Sequence, residues 1–457
     1  MRSLPQLNSM VSVGDLAALN GALRKAAIDY QTSAQPSAAA GASLSPLVPQ
    51  SIEGTLASAT YTMSELALWP AIPKTTVSNT VHEYNVIQEH GLDLDPFISE
   101  GGAGVLNLSE YSREFVKIKY MAERRSVTDV ATLVNILGSN PSAIAEETER
   151  GTMSLMQKVE HQLWHGDESI NGLGFDGLFK QIEDAGGDNV YDLAGSEVTP
   201  DFLQNVLAEQ TAAPNFGRPD CIYVEPRVYS SLIQQSVNYG RHDQITSANG
   251  TLTFGAGKFA INSPLGPVPV KTAPFLFTAS KAPTAGSGHS VAAVSISAGP
   301  TAGGSGSSFA AGDAGDYIYK IVGVKAEGGY SAPVTSSVVT VAAGQQVSIT
   351  IADADHTYYR VYRSDKDGAA GTCTFIMNVK KTVGTTSIVD TNAVRTKTSK
   401  IFVAQHDPSV FQFVRLLDFL RRPLAEVDTQ RPFLLMLFGS PIVKVPSKLS
   451  MIRNVGS

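Results

Sequence analysis

The sequence predicts an α+β chain into which a separate all-β module has been spliced, and three observations predict it. An apolar stripe at helical spacing runs through 140–165: Ile144, Thr148, Thr152, Leu155, Val159 and Leu163. Behind it come a helix, a strand and a helix in short order, in PDFLQNVLAEQ, CIYVEP and PRVYSSLIQQS. Between 317 and 390 the pattern turns to alternating strands broken by Gly, Asp and Asn, set off by a Gly-, Ala- and Ser-rich stretch at 282–315.

Taken in order, residues 15–30 place Leu16, Leu19, Leu23, Ala27 and Ile28 at helical spacing, and 31–49 is rich in Ala, Ser, Pro and Gly. Residues 1–60 therefore read as an extended arm carrying one short helix. SNTVHEYNVIQ then reads as a strand, HGLDLDPFISEGGAGVLNLSEYS as a long glycine-containing excursion, and REFVKIKYMAERRSVT as the return strand, with Val116, Ile118 and Tyr120 alternating against Lys117 and Lys119. The hairpin spans about 82–116. Asn140 and Pro141 supply a cap and a first-turn proline for the long helix, Glu146 and Glu147 sit near its positive end, and Gly166 stops it. That is about 25 residues, or roughly 38 Å.

Strands rich in tyrosine fill the spliced segment, 278–399, with Tyr317, Tyr319 and Ile321 alternating on one and Tyr358, Arg360 and Tyr362 on another. After Lys400 the earlier character returns: FVRLLDFLRRPL reads as a helix, PFLLMLFGSPIVKVP as a buried strand pair and KLSMIRNV as a closing strand. The module thus interrupts an existing domain made of 61–277 and 400–457.

At 457 residues the chain exceeds what one hydrophobic core serves, which fits this division. A net charge of −7 argues against a protein whose main task is gripping nucleic acid, because neutralising phosphates takes clustered Lys and Arg. The most basic stretch is Arg421, Arg422 and Arg431 with Lys444, Lys448 and Arg453, to be read either as loose contact with DNA or as internal salt bridges. Two cysteines, Cys221 and Cys373, lie in different predicted domains, so no disulfide framework arises. No run reaches the apolar length of a membrane span, and the N-terminus lacks an uninterrupted apolar signal core.

Patterns that invite an enzymatic reading fall short of one. Gly172, Gly174 and Gly177 satisfy G-x-G-x-x-G but follow a helix where a nucleotide site follows a strand. His161 and His165 stand four apart on the long helix, as in a zinc hydrolase, yet Gln162 cannot act as its general base. Asp93 with Asp95, and Asp353 with Asp355, read as solvated turns rather than an acid and base at a fixed gap. The expectation is a protein that is not an enzyme, with no catalytic residue, no metal and no cofactor.

The order of elements, with Trp164, His165, Gly166 and Asp167 followed by Phe175, Asp176, Gly177 and Leu178, resembles the HK97-type major capsid subunit of tailed bacteriophages. The unit Phe202–Gln210, Gly217–Pro219, Ile222–Pro226 and Val228–Gln235 resembles the same family's axial domain. The resemblance covers about 50–277 and 400–457, in order rather than in identities. It implies an N-terminal arm, an E-loop hairpin lying across a neighbouring subunit, a spine helix at 140–165, and peripheral and axial domains. The spliced segment resembles immunoglobulin-like modules of the fibronectin type III kind, displayed on the outer face.

The function implied is a shell subunit that forms hexamers and pentamers of itself around double-stranded DNA. The virion is its expected location and the host cytoplasm its place of assembly. Portal, scaffolding and decoration proteins are its expected partners, DNA a loose lumenal contact, and a membrane is not among them. An encapsulin-like nanocompartment shell and a surface adhesin are the competing readings. A thin hairpin cannot bury two faces alone. Phe97, Ile98, Val105, Leu106 and Leu108 are therefore the expected buried contacts between subunits, with Glu100, Glu110, Arg113, Arg124 and Arg125 offering charge pairs. Some relatives cross-link through a lysine on this loop, but 88–112 contains none. Assembled particles boiled in detergent should therefore run as one band near 48.4 kDa; a ladder of multiples on the gel contradicts this.

Overall fold

The computed structural model describes residues 65–90, 97, 100–102, 108–133, 142–238, 259–276, 280–284, 286, 291, 294–300, 306–325, 329–353, 355–426 and 428–456. The expected arm and its helix at 15–30 lie outside them, as do Asp93 and Asp95.

The long helix is Ala143–His165. Its N-cap position is Ser142, held extended and making no side-chain capping hydrogen bond, so the helix starts two residues later than the Asn140–Pro141 expectation. Leu155, Val159 and Leu163 of the expected stripe are buried, joined by Met156 and Trp164. Gly151 lets the helix approach closely, since a β-carbon there would come within 2.7 Å of Leu435 Cδ1.

Gly166 ends the helix, and its amide donates to the Gln162 carbonyl at 2.8 Å. The following loop closes back on that end: Gly177 N donates to Gly166 O at 3.0 Å, and Glu168 N to Asp176 Oδ1 at 2.7 Å. A β-carbon on Gly177 would meet Gly166 N, Gln162 O and Trp164 O at 2.7–2.9 Å, all of them backbone atoms. Gly166 and Gly177 are thus spent on backbone packing, whereas Gly172 borders open space and Gly174 approaches only the Asn171 carbonyl, at 3.3 Å from an added β-carbon. Trp164, fully buried below the loop, packs on Phe179, Tyr223 and Phe402 with centroids 5.5–5.6 Å apart.

One acid lies within this core. Glu160 is fully buried and accepts the backbone N–H groups of Leu68 at 2.7 Å, Trp69 at 2.8 Å and Ala67 at 3.2 Å. Loss of water pushes its carboxyl pKa up, against the pull of these bonds. The segment that brings Leu68 and Ile72 into the core is thereby fixed to the helix.

Two sheets flank the helix. In the first, Lys74–Thr76, Phe411–Pro423, Gln430–Val443 and Lys119–Thr128 lie in that order. The helix expected at FVRLLDFLRRPL is thus a strand, Phe411–Pro423, and the expected strand pair is one strand, Gln430–Val443. Register shifts between Arg415 and Leu417 and between Leu417 and Leu420 break the two-residue alternation, which is why this run mimics a helix. Gly439 is a close approach, not a turn: the Phe413 ring occupies the space of its missing side chain, 2.4 Å from an added β-carbon. Pro441 lies beyond the last residue paired with Lys119–Thr128, so no ladder hydrogen bond is lost there.

In the second sheet the order is Val190–Asp192, Ser450–Val455, Ser399–Ala404, Cys221–Val224, Gly266–Thr272 and Ala260–Ser263. Helices Pro200–Thr211 and Pro226–Asn238 fall where the sequence puts them. Leu203, Val206, Leu207, Val228 and Leu232 cover this sheet in a core of their own.

The described residues between Lys281 and Ser399 form two facing sheets and a short pair, Gly315–Tyr317 with Val339–Val341. One facing sheet holds Val334–Thr335, Tyr319–Val324, Tyr358–Arg363 and Thr374–Lys380, the other Thr385–Asp390, Gln345–Ala352 and Val294–Pro300. Their inner faces share a core containing Tyr319, Ile321, Val347, Ile349, Ile351, Val361 and Ile388. Tyr317, Tyr319 and Ile321 point inward as the pattern suggests. On the neighbouring strand it is Tyr359 and Val361 that enter the core, while Tyr362 packs on the opposite face with Val322 and Cys373. Asp353, expected in a solvated turn, is buried and accepts from His356 Nδ1 at 2.5 Å and Tyr359 Oη at 3.2 Å. The His356 ring fills the space beside Gly323, which draws that turn inward.

Replacing Glu160 by alanine strands the buried N–H of Leu68 and the half-buried N–H groups of Ala67 and Trp69. Denaturant titration should show a loss of about 2–4 kcal/mol; a loss typical of a surface substitution contradicts this account of the core.

Candidate subunit interface

The expected return strand changes sheets part-way. Glu110–Lys117 pairs with Val81–Glu89 as a two-stranded hairpin, whereas Lys119–Thr128 joins Gln430–Val443 in the first sheet. The switch occurs at Ile118, which is buried against Val414 and Ile442 and donates its N–H to Thr80 O at 2.9 Å. Pairing in the hairpin fixes what each face carries. Tyr84 and Val116 are on one face and pack onto the Ile118 cluster with Leu416 and Phe438. Burial raises the Tyr84 phenol pKa.

The other face carries Val81, Glu83, Asn85 and Ile87 opposite Lys117, Phe115, Arg113 and Tyr111. Its apolar members stay in water: Val81 is 44% exposed, Ile87 53%, Phe115 65% and Tyr111 68%. Burying what they leave exposed is worth roughly 1–2 kcal/mol each. The Glu83–Arg113 pair, 3.7 Å apart and exposed on both sides, adds little to the hairpin by itself.

Of the residues singled out in the sequence, Phe97 and Leu108 are 87% and 74% exposed, and Glu100, Glu110 and Arg113 are exposed as well. Ile98, Val105 and Leu106 lie outside the described residues. The change of sheet takes Arg124 and Arg125 off the hairpin. Arg124 is exposed on the first sheet, while Arg125 pairs within the chain, with Glu123 at 2.6 Å and Glu147 of the long helix at 3.6 Å. Sequence reasoning looked to the tip and passed over Val81, Ile87, Tyr111 and Phe115. Tyr111 and Phe115 stand four apart on EYSREFVK, and Val81 and Ile87 six apart on VHEYNVIQE, even spacings that put each pair on one face of its strand.

The other candidate groups resolve internally. Arg431 binds Asp129 at 2.6 Å, Arg453 binds Asp192 at 2.9 Å, and Lys444 donates to Pro408 O at 2.9 Å. Much of the basic stretch is therefore engaged within the chain. His161 and His165 have ring centroids 5.1 Å apart, and among the described residues no group of three His, Cys, Asp or Glu forms a metal cluster. Among them, too, no helix is long and apolar enough to cross a membrane.

No family model matches the chain. It is 25% identical over 419 residues to the putative major capsid protein of Enterococcus phage phiEF24C, and 23% identical over 432 residues to the major capsid protein of Staphylococcus phage K. In both cases the match spans 87% of this chain and 87% of the relative. Among solved structures, Gordonia phage Cozz gives a TM-score of 0.46 at 12% identity, covering 92% of this chain and 98% of the other. The SrpI encapsulin complex of Synechococcus elongatus gives 0.45 at 10%, covering 90% and 94%. At scores below 0.5 these structures carry no weight; the phage relatives do.

Changing Tyr111 and Phe115 together to aspartate should leave unfolding free energy within about 0.5 kcal/mol, as for ordinary surface sites, yet abolish self-association in sedimentation velocity. Unaltered association places the interface elsewhere.

Proposed function

We propose that this chain is a phage capsid shell protein, the major head subunit of a tailed phage, which packs against copies of itself to enclose double-stranded DNA. The observation that carries the reading is the match to phage major capsid proteins along 87% of both partners. The hairpin supports it physically, because a two-stranded ribbon with four apolar side chains in water is a poor end state for a monomer and a good one for a docking element. The Phe97 to Leu108 excursion and the exposed Glu100, Glu110, Arg113 and Arg124 are the further contacts we assign to neighbouring subunits.

The HK97-type arrangement is part of the same reading, with Ala143–His165 as spine helix and Val81–Lys117 as E-loop. So is the immunoglobulin-like character of the module, which rests on two sheets closed over their own core. Its two ends return to one place: Leu276, just before it, and Phe402, just after it, share the shell core. An insertion of that kind is tolerated at an exposed loop, so the module is read as standing on the outer surface. DNA contact is loose, given the acidic net charge of −7.

Electron microscopy of the purified recombinant chain tests this. Shells, tubes or capsomers are expected, and particles taken from infected cells should hold double-stranded DNA. Monomers across a range of salt and concentration, or an enzyme cargo in place of DNA, contradict it.

A further inference from the structure

The chain leaves the module through residues 391–398, and this short segment is bonded to the folded parts on both sides of it. Toward the second sheet, the buried Asn454 of Ser450–Val455 accepts the Arg395 N–H on its Oδ1 at 3.1 Å. Its Nδ2 donates to Ala393 O at 2.8 Å and to Asp192 Oδ1 at 2.9 Å. Toward the module, the Arg395 guanidinium donates to Asp313 Oδ1 at 3.1 Å, and the buried Asn392 donates from Nδ2 to Asp313 Oδ2 at 3.2 Å. Asn392 Oδ1 in turn accepts from Arg363, whose other terminal nitrogen donates to Asp390 Oδ2, each at 2.6 Å. A continuous line of polar contacts thus runs from the edge strand Val190–Asp192 into the centre of the module. The backbone along it is held as closely. Asn392, Lys397 and Asn454 take φ of 62°, 57° and 54°, in the left-handed region that asparagine tolerates and lysine seldom adopts. Such conformations persist where the surroundings over-determine them. Gly195, at φ 86°, leaves room for the Arg395 stem, whose Cδ would lie 3.1 Å from an added β-carbon.

We propose that this seam is a lock that fixes the angle of the module against the second sheet, with Arg395 bonding both sides and Asn454 as its seat. Folded units joined through short segments move against each other by default, unless a seam of this kind holds them. Opening the lock leaves two intact cores on two tethers. The incoming tether is tied to the module's own edge strand, where Phe375 N donates to Ser280 O at 2.9 Å. Beside His161 and Phe375 the module also faces the long helix, but across a cleft of about 290 Å³. That is room for several waters at roughly 30 Å³ each, so this contact is packed too loosely to set the angle alone. The lock lies within one chain and stands apart from the shell-forming reading.

Pulsed distance measurement between two spin labels on the full chain, diluted with unlabelled chain, tests it. One label sits at Val383→Cys, in an exposed bend of the module, and the other at Gln204→Cys, exposed on the helix Pro200–Thr211. Both native cysteines are buried, so the label enters at the introduced pair. A single narrow distribution of distances is expected in the parent chain. Arg395→Ala should widen it by about twofold or more, as for units released to move independently. Asn454→Gly, which keeps the left-handed backbone without strain, should widen it likewise and carries the test if the arginine variant fails to fold. Hydrogen exchange over Tyr319–Val324 and Ser399–Ala404 should stay as in the parent, which distinguishes an opened lock from an unfolded core. A broad distribution in the parent, or an unchanged width in the folded variants, overturns the proposal.

Discussion

A ribbon of two strands has two faces and no second layer, and in this chain only one of those faces is satisfied. Tyr84 and Val116 rest on Ile118, Val414 and Ile442, which fixes the base of the hairpin to the first sheet. Val81, Ile87, Tyr111 and Phe115 face away from that support and stay in solvent. Everything proposed about assembly depends on this asymmetry. A hairpin loose at its base would present no defined surface, and one buried on both faces would have nothing to offer a neighbour.

The asymmetry is built by the sheet switch at Ile118. One continuous stretch of chain serves the hairpin up to Lys117 and the first sheet from Lys119 onward. The long helix then braces that sheet: Gly151 admits Leu435, Arg125 pairs with Glu147, and Glu160 holds the segment leading into the first strand. Position and stiffness of the hairpin thus derive from side chains far from its tip. They trace back to small residues where backbones must touch and to one buried carboxylate whose three partners are all main-chain donors.

Much of this was legible in the residues. The helices Pro200–Thr211 and Pro226–Asn238 and the strand Cys221–Val224 follow from periodicity, a first-turn proline and an apolar run, all local signals. The strand Phe411–Pro423 was misread because its register shifts scramble the alternation that marks a strand, and nothing in a single sequence reveals a bulge set by a partner strand. PFLLMLFGSPIVKVP reads as a strand pair, yet it is one strand, and its Gly439 answers to a ring, Phe413, that lies 26 residues away in sequence. The sequence reading puts the candidate contacts at the hairpin tip and on charges beside it, and the exposed apolar residues of the two strands add to that set.

The central claim is that the free face of the hairpin is covered by a second copy. Hydrogen exchange over Val81–Glu89 and Glu110–Lys117, measured on assembled particles and on dissociated subunits, addresses it most directly. Strong additional protection of both strands in the particle, lost on dissociation, is the predicted result. Equal exchange in the two states would mean that the ribbon stays in water after assembly, and the account of how this chain builds a shell would fail.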